Sequence, residues 1–317
     1  MNQQELFDEF YKALEPIAAA DGATLEKAAI PRNNEIRQGI IIRFGDDPVA
    51  PTIYPERYRK TAEIGIPVSS IAKSVYGIAA EEAERIRRER IRFPFNREQA
   101  ENHLMCAIVG YENNKEMLKN LPYERIEDLA VYVRWDYGNA SAVLTNEGLS
   151  RLQMTKEEVL AVGKRNMVSQ AAFQSMEEIM RGVYRADGME EWMIEDRMAM
   201  DPPSPFYILT TRDQYFGSAL MASPETLKGV HEKLGEDFYI LPSSVHEVLI
   251  LKKSDFPGPP EELKETVAAI NREQIEPVDR LTDTVYQFDG KKLSIAETEG
   301  IEREEGIASV LSHRHSR

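Results

Sequence analysis

Residues 128–145 read DLAVYVRWDYGNASAVLT, and this stretch indicates how the chain folds. The run from Asp128 to Asp136 alternates well enough for a β-strand, and Ser141–Thr145 returns after the turn-forming pair Gly138-Asn139. Thr155 and Glu158 then have the spacing of a capping box, which begins a helix ending near Met167. A hairpin followed by a helix is typical of an α+β fold, in which helices cover sheets built from hairpins.

The same order of elements recurs at two other places in the chain. Ile41–Phe44 leads to Tyr54-Pro55-Glu56, and Phe206–Thr210 leads to Ser223-Pro224-Glu225. We therefore predict an α+β protein with mixed or antiparallel sheets. Two interpretations of the repetition stay open. The chain contains either three related strand–strand–helix units or three ordinary helix starts, because Glu is common in the first turn of any helix.

A proline-rich segment, Asp201-Pro202-Pro203-Ser204-Pro205, follows two predicted helices at 171–184 and 188–199. Proline removes backbone donors and keeps the preceding residue out of the helical region, so this segment is a boundary. It predicts an N-terminal lobe at 1–200 and a C-terminal lobe at 201–296, or one continuous unit at 1–296. Residues 297–317 are charged and weakly periodic, which predicts a mobile tail.

The composition excludes several classes of protein. The 317 residues include 39 Lys and Arg and 54 Asp and Glu, which gives a net charge of -15. This negative charge argues against nucleic acid or anionic lipid as a partner. The arginines of 85–97 alternate with glutamates, as on a solvated helix. The longest uncharged apolar run, Leu104–Gly110, is too short to cross a bilayer. With no targeting segment and a single cysteine, Cys106, we expect a cytoplasmic protein without intrachain disulfides.

The segment that concentrates the most potentially reactive side chains is Ser243-Ser244-Val245-His246-Glu247. Its two hydroxyls, imidazole and carboxylate could supply a nucleophile and a base, so Ser243, Ser244, His246 and Glu247 are candidate catalytic or ligand-binding residues. The alternative is a polar structural turn, in which the hydroxyls bond to backbone groups after Pro242. A working Ser–His pair usually converges from distant segments, and this spacing therefore favours the structural interpretation.

Metal and cofactor motifs are missing from the sequence. His231-Glu232 and His246-Glu247 lack the second histidine of a zinc-protease helix, and His313 and His315 lie in the basic C-terminal end. The phosphate-binding loop, the dinucleotide fingerprint and the nucleophile elbow of hydrolases do not occur either. We therefore predict no metal and no cofactor.

Methionine is concentrated between Met154 and Met200, which contain eight of the twelve in the chain. Met176 with Met180, and Met189 with Met193, would line helix faces. Flexible methionine surfaces suit adaptable partner binding, but methionine also fills irregular cores. The sequence leaves both interpretations open, and the first predicts a protein partner at these four residues.

Four segments resemble a known bacterial family: Val109–Leu118 with its continuation to Val131, Val143–Asn146 with the following helix, Asp237–Val248, and Val267–Tyr286. Together they resemble the domain of unknown function family numbered 5688, of anaerobic gut Firmicutes. The resemblance covers about residues 1–296. It implies a bacterial cytoplasmic protein of mixed α/β structure, and it implies no activity, cofactor or catalytic residue.

These patterns favour a non-enzymatic binding or regulatory protein. Its contact surface would be the methionine-rich helices or the segment from Ser243 to Glu247. The alternative is a small-molecule hydrolase that uses Ser244 or His246. Whether the protein is an enzyme stays open at the level of sequence.

Overall fold

The computed structural model describes residues 2–45, 50–88, 97–136, 141–200, 203–242 and 244–297, in two compact units. Unit 1 is the chain up to Ser169 with Glu276–Arg280, and unit 2 is Gln170–Ile275 with the chain from Leu281 onward. The division falls after Ser169 and not between 200 and 201, because the strand that begins at Ala171 pairs with the strand after the proline-rich segment. The predicted tail at 297–317 lies outside the described residues except for Glu297.

Unit 1 begins with helices packed on a three-stranded antiparallel sheet of order β1-β2-β3. Its elements are α1 (Gln3–Ala20), β1 (Thr24–Arg32), β2 (Glu35–Arg43), β3 (Thr52–Ile53), α2 (Arg59–Glu63) and α3 (Val68–Arg88). Leu6, Phe10 and Leu14 recur at helical spacing along α1, and their side chains join Ile40 and Ile42 of β2 in one buried core. Helical periodicity on α1 thus provides the face that covers the sheet.

The second sheet of unit 1 is built around β6, which is buried along almost its whole length. The elements here are α4 (Arg97–Glu101), β4 (Leu104–Gly110), α5 (Lys115–Leu118), β5 (Tyr123–Ile126), β6 (Leu129–Asp136), β7 (Ser141–Val143), α6 (Asn146–Leu152) and α7 (Lys156–Ser169). β4 pairs along one edge of β6, and β5 and β7 pair with the two ends of its other edge, all antiparallel. α7 packs on β4, where Gly163 leaves room for the buried thiol of Cys106.

A buried cluster of asparagines joins the two sheets of unit 1 to the returning segment Glu276–Arg280. Asn33 and Asn34 form the two-residue turn between β1 and β2, with Asn34 in the left-handed region at φ 60°. Their side-chain amides donate to backbone carbonyls of the returning segment, including that of Arg280 at 2.7 and 2.8 Å. The Asn114 amide donates to Asn33 Oδ1 at 3.0 Å, and Asn114 Oδ1 accepts the Asn34 N–H at 2.9 Å. The cluster satisfies backbone groups that burial would otherwise leave unpaired.

Unit 2 is one six-stranded antiparallel sheet in the order β13-β12-β10-β11-β9-β8, with helices in its connections. The elements are β8 (Ala171–Ser175), α8 (Met176–Ala186), α9 (Glu191–Met200), β9 (Phe206–Thr211), α10 (Pro224–Leu234), β10 (Phe238–Leu241), β11 (Glu247–Lys252), α11 (Pro260–Gln274), β12 (Tyr286–Phe288) and β13 (Leu293–Ile295). A short 3-10 helix, Gly217–Ala222, precedes α10. This 3-10 helix contacts both β9 and β11, so it lies over the loop that leads into β11.

The predicted α+β class is confirmed, and every strand pair in the described residues is antiparallel. The recurring pattern holds only in part. β2 and β6 are each followed by a short return strand and a helical segment, whereas β9 is followed by the 3-10 helix and no return strand. The helix predicted at 171–184 is wrong over its first five residues, which form β8. Ser175 and Glu178 form a capping box that begins α8 only at Met176.

Candidate functional site

The segment singled out by its chemistry lies in the loop between β10 and β11. Ser243 lies outside the described residues, whereas Ser244, His246 and Glu247 are placed. Ser244 is buried, and its Oγ accepts a hydrogen bond from the backbone N–H of His246 at 3.0 Å. This is a local serine turn, of the kind in which a hydroxyl satisfies a backbone donor two residues further on.

The 3-10 helix after β9 closes over this loop. Ser218 Oγ lies 2.9 Å from the carbonyl oxygen of Glu247 and also hydrogen-bonds the carbonyl oxygen of Ser244. Thr210 Oγ1, at the end of β9, donates to the carbonyl oxygen of His246 at 2.8 Å. A Cβ on Gly217 would lie 2.5 Å from that same carbonyl oxygen, so only glycine permits this approach. The loop is therefore held by side chains about thirty residues away in sequence.

The imidazole of His246 packs in a small aromatic cluster. Its ring stacks on Tyr215 with centroids 5.3 Å apart and meets Phe216 at 5.6 Å. The backbone N–H of Phe216 lies 3.4 Å from Nδ1 and donates to it, which assigns the proton of the neutral ring to Nε2. Phe216 has φ 53°, an unusual left-handed conformation for an aromatic residue. These contacts favour the structural interpretation of the segment.

The methionine-rich helices form a helical hairpin in unit 2. Met176, Met180 and Met189 are half-buried, and Met193 is exposed. No residue of α8 is fully buried, although Met176, Ile179, Met180 and Val183 form an apolar stripe along it. α9 packs mainly against α8 and fully buries only Ile194. The interpretation of these methionines as core filling therefore describes them incompletely, because their helices leave apolar surface in contact with solvent.

Four large apolar side chains are exposed on this hairpin, and we refer to them as the hairpin surface. They are Val183 (48% exposed), Trp192 (70%), Met193 (43%) and Met200 (73%). Met193 and Met200 are seven positions apart on α9, so they lie on the same helix face. Exposed large apolar side chains that share a helix face are typical of an interaction site, whereas single ones are ordinary.

The charges on the hairpin are mainly acidic. Residues 176–200 contain seven Asp and Glu and three Arg, which gives a net charge of -4. Arg181 lies between the two helices and pairs with Glu177 at 3.2 Å and Glu195 at 2.7 Å. The pKa of Arg181 is raised, chiefly by its hydrogen bond to Glu195. Arg185 is paired with Glu191 at 2.8 Å. Two of the three cations are therefore already engaged within the hairpin.

Other candidate chemistry is sparse in the described part of the chain. His231 Nε2 lies 3.1 Å from Asp237 Oδ1, and the ring packs against Phe288 and the turn at Gly290. His313 and His315 lie outside the described residues. Within those residues, no three His, Cys, Asp or Glu side chains come together as metal ligands. Nor does any described helix combine the length and apolar character needed to cross a membrane.

Sequence comparison identifies the family of this chain. A model described as a family of unknown function, DUF5688, matches residues 4–290, which is most of the chain. Neither curated proteins nor solved structures give a match. The resemblance predicted from four segments is therefore confirmed. The protein belongs to the family of unknown function DUF5688.

Proposed function

We propose that this protein is a non-enzymatic binding module that docks a partner protein on the hairpin surface. The observation that carries the proposal is the exposure of Trp192, Met193 and Met200 together on one short helix. Tryptophan is among the residues that contribute most to binding when an interface covers it, and methionine adapts its shape to different partners. Covering the half-buried stripe of α8 would add further apolar contact.

The charges around the hairpin surface indicate the charge that a partner should carry. With a net charge of -4 on the hairpin and -15 on the chain, a second acidic protein would be repelled. Glu190 and Asp196 form no ion pair in the described structure and flank the apolar residues in sequence. We therefore propose that the partner is a basic amphipathic segment, whose apolar face covers Trp192 and whose Lys or Arg residues meet these carboxylates.

Tryptophan fluorescence tests this proposal directly, because the chain has two tryptophans in opposite environments. Trp135 is buried in β6, whereas Trp192 is largely exposed. The probe is a synthetic helix with a leucine stripe and a lysine face, and its matched control carries glutamate in place of each lysine. The lysine peptide should shift the Trp192 emission to the blue and protect it from quenching by acrylamide, and this effect should weaken with added salt. The glutamate peptide should do neither.

Two variants give the experiment its controls. Met193→Ser should weaken binding of the lysine peptide about tenfold, because a buried methionine contributes roughly 1.5–3 kcal/mol. Ile66→Ser removes an equally exposed apolar side chain from unit 1 (42% against 43% for Met193) and should leave binding unchanged. Equal binding of both peptides, or an unshifted Trp192, would contradict the proposal. So would self-association that buries Trp192 without any peptide, since it would assign this surface to a second copy.

The alternative is a small-molecule hydrolase at Ser244 and His246, and the geometry supports it less well. Ser244 Oγ and His246 Nδ1 both accept hydrogen bonds from backbone N–H groups. An ester such as p-nitrophenyl acetate tests this alternative. Equal hydrolysis by the parent protein and by His246→Gln would support the binding module. Hydrolysis that disappears in His246→Gln, with the fold preserved, would favour the enzyme.

We also propose a cytoplasmic, bacterial setting for the protein. Cys106, the single cysteine of the chain, is buried and unpaired, which suits a reducing compartment. The test is the cellular fraction in which the native protein is found. Recovery with the soluble cytoplasmic fraction supports this setting, and recovery with an extracellular or membrane fraction would contradict it.

A further inference from the structure

A surface groove of about 480 Å³ in unit 1 combines an apolar wall with exposed positive charge. Leu121, Pro122 and Leu149 provide the apolar wall. Arg125 and Lys156 line the same groove. The two cations come from β5 and from the first residue of α7, and both are exposed. We call this feature the anion groove, and nothing in it belongs to the hairpin surface.

Arg125 is held in place by an aromatic ring and not by a carboxylate. Its guanidinium lies 4.0 Å from the centroid of the Tyr111 ring, a cation–π contact that leaves its N–H edge free to bond. The hydrogen bond that it makes is long, 3.4 Å to the carbonyl oxygen of Glu127. In the described parts of the chain, Arg125 has no acidic partner, although acids outnumber bases in this protein.

Among the described residues that line the groove, the one carboxylate is neutralised by another residue. Glu124 is ion-paired with Lys164 of α7, and therefore does not compete with a ligand for Arg125. Among the described residues, Lys156 pairs with the carboxylate of its neighbour Glu157, at 3.7 Å. The groove therefore offers two cations to a ligand, in a chain whose net charge is -15.

Tyr123 adds a polar aromatic side to the groove. Its ring lies 6.1 Å from that of Tyr111, centroid to centroid. A hydrogen bond with the Tyr111 hydroxyl, together with burial, raises the pKa of Tyr123. The Tyr123 hydroxyl is therefore protonated at neutral pH and carries no negative charge that would repel an anion.

From this arrangement we infer that the anion groove binds a small organic anion, with a phosphate or carboxylate head on an apolar or planar body. The planar guanidinium of Arg125 suits two parallel hydrogen bonds to the oxygens of such a head, and Lys156 adds a second positive charge. The apolar body would pack on Leu121, Pro122 and Leu149. Stacking on the Tyr111 ring restricts the guanidinium of Arg125 before binding, which lowers the entropy lost when the ligand binds.

Isothermal titration with four simple probes tests the inference. Phenyl phosphate and benzoate carry the two possible head groups on one ring, inorganic phosphate lacks the ring, and benzyl alcohol lacks the charge. We expect phenyl phosphate, benzoate or both to bind, and the two other probes to bind at least about tenfold more weakly. The stronger of the first two identifies the head group. Absence of binding by both, or equal binding by benzyl alcohol or inorganic phosphate, would overturn the inference.

Two variants test whether the probes bind in the anion groove. Arg125→Gln should weaken the binding at least about tenfold, because hydrogen bonds to charged groups are among the stronger ones in proteins. Arg125 is exposed, so the variant should keep the melting temperature of the parent. The matched control is Arg151→Gln, which removes an exposed arginine of α6 that is paired with Glu147 at 2.6 Å and lies outside the groove lining. Unchanged binding in Arg125→Gln, or an equal loss in Arg151→Gln, would refute the assignment.

Discussion

The close approach of the 3-10 helix to the His246 loop can be tested by adding one methyl group at Gly217. In Gly217→Ala the new Cβ would lie 2.5 Å from the carbonyl oxygen of His246 and 2.6 Å from Thr210 Cα. Both neighbours belong to the backbone, so neither can swing away as a flexible side chain would. The methyl group must therefore push β9 and the loop apart, and it would separate Thr210 Oγ1 from the His246 carbonyl that it bonds at 2.8 Å.

The expected cost follows from these contacts. Forcing an extra methyl group into a well-packed site costs about 1–3 kcal/mol, and a lost hydrogen bond adds roughly 0.5–1.5 kcal/mol. Gly217→Ala should therefore lower the free energy of unfolding by about 2–4 kcal/mol. For a unit of this size, each kcal/mol corresponds to a fall of about 2–4 °C in melting temperature, so the transition should move down by roughly 4–16 °C.

Gly229→Ala provides a control of opposite sign in the same unit. Gly229 lies inside α10, where a Cβ would have nothing within 4 Å. Alanine there should raise the free energy of unfolding by about 0.5–1 kcal/mol, because glycine is a poor helix former. The assay is urea unfolding followed by circular dichroism for the parent and both variants. A Gly217→Ala variant as stable as the parent would refute the close approach, and with it the placement of the His246 loop.

Three further outcomes are expected. Asn114→Ala should destabilise the protein by about 2–4 kcal/mol in thermal unfolding, because it leaves buried partners of the asparagine cluster unpaired, whereas the exposed Asn102→Ala should change stability little. Burial raises the pKa of Cys106 and of Tyr76 to about 12. Between about pH 9 and 12 the unfolded chain therefore releases protons that the native state keeps, so the free energy of unfolding should fall as pH rises from about 9 to 12. Ellman's reagent should titrate no thiol in the native protein at pH 8 and should titrate Cys106 after denaturation.

Elements with a clear local pattern could be predicted from the sequence. The strand Asp128–Asp136 corresponds to β6, and the capping box of Thr155 and Glu158 is present at α7. The sequence does not predict β8, because Ala171–Ser175 continues the composition of the helices around it, and pairing with β9 makes it a strand. The pairing of β10 with β12, across the intervening α11, depends on contacts between distant residues that no local pattern shows.

The candidate site also depends on contacts between distant residues that no local sequence pattern shows. The sequence identified Ser244, His246 and Glu247, but not the residues that fix them, since Thr210 and Ser218 lie far from them in the chain. Two features of the sequence lie close to that contact. The polar run Arg212-Asp213-Gln214 directly follows the apolar strand β9, and Gly217 comes three residues after it, where a glycine marks a place at which backbones come close.

The methionine-rich helices explain why the same pattern allowed two interpretations. An amphipathic helix needs an apolar stripe whether that stripe faces its own core or a partner, so the sequence of α8 is the same in both cases. The two cases differ in whether other elements of the same chain cover the stripe. Here β8, β9 and α9 pack against α8, yet they leave every residue of α8 at least partly accessible to solvent. On α9, Trp192 and Met200 are also largely exposed to solvent. An apolar face that the described residues leave uncovered, with acidic residues around it, is the physical basis for expecting a basic partner.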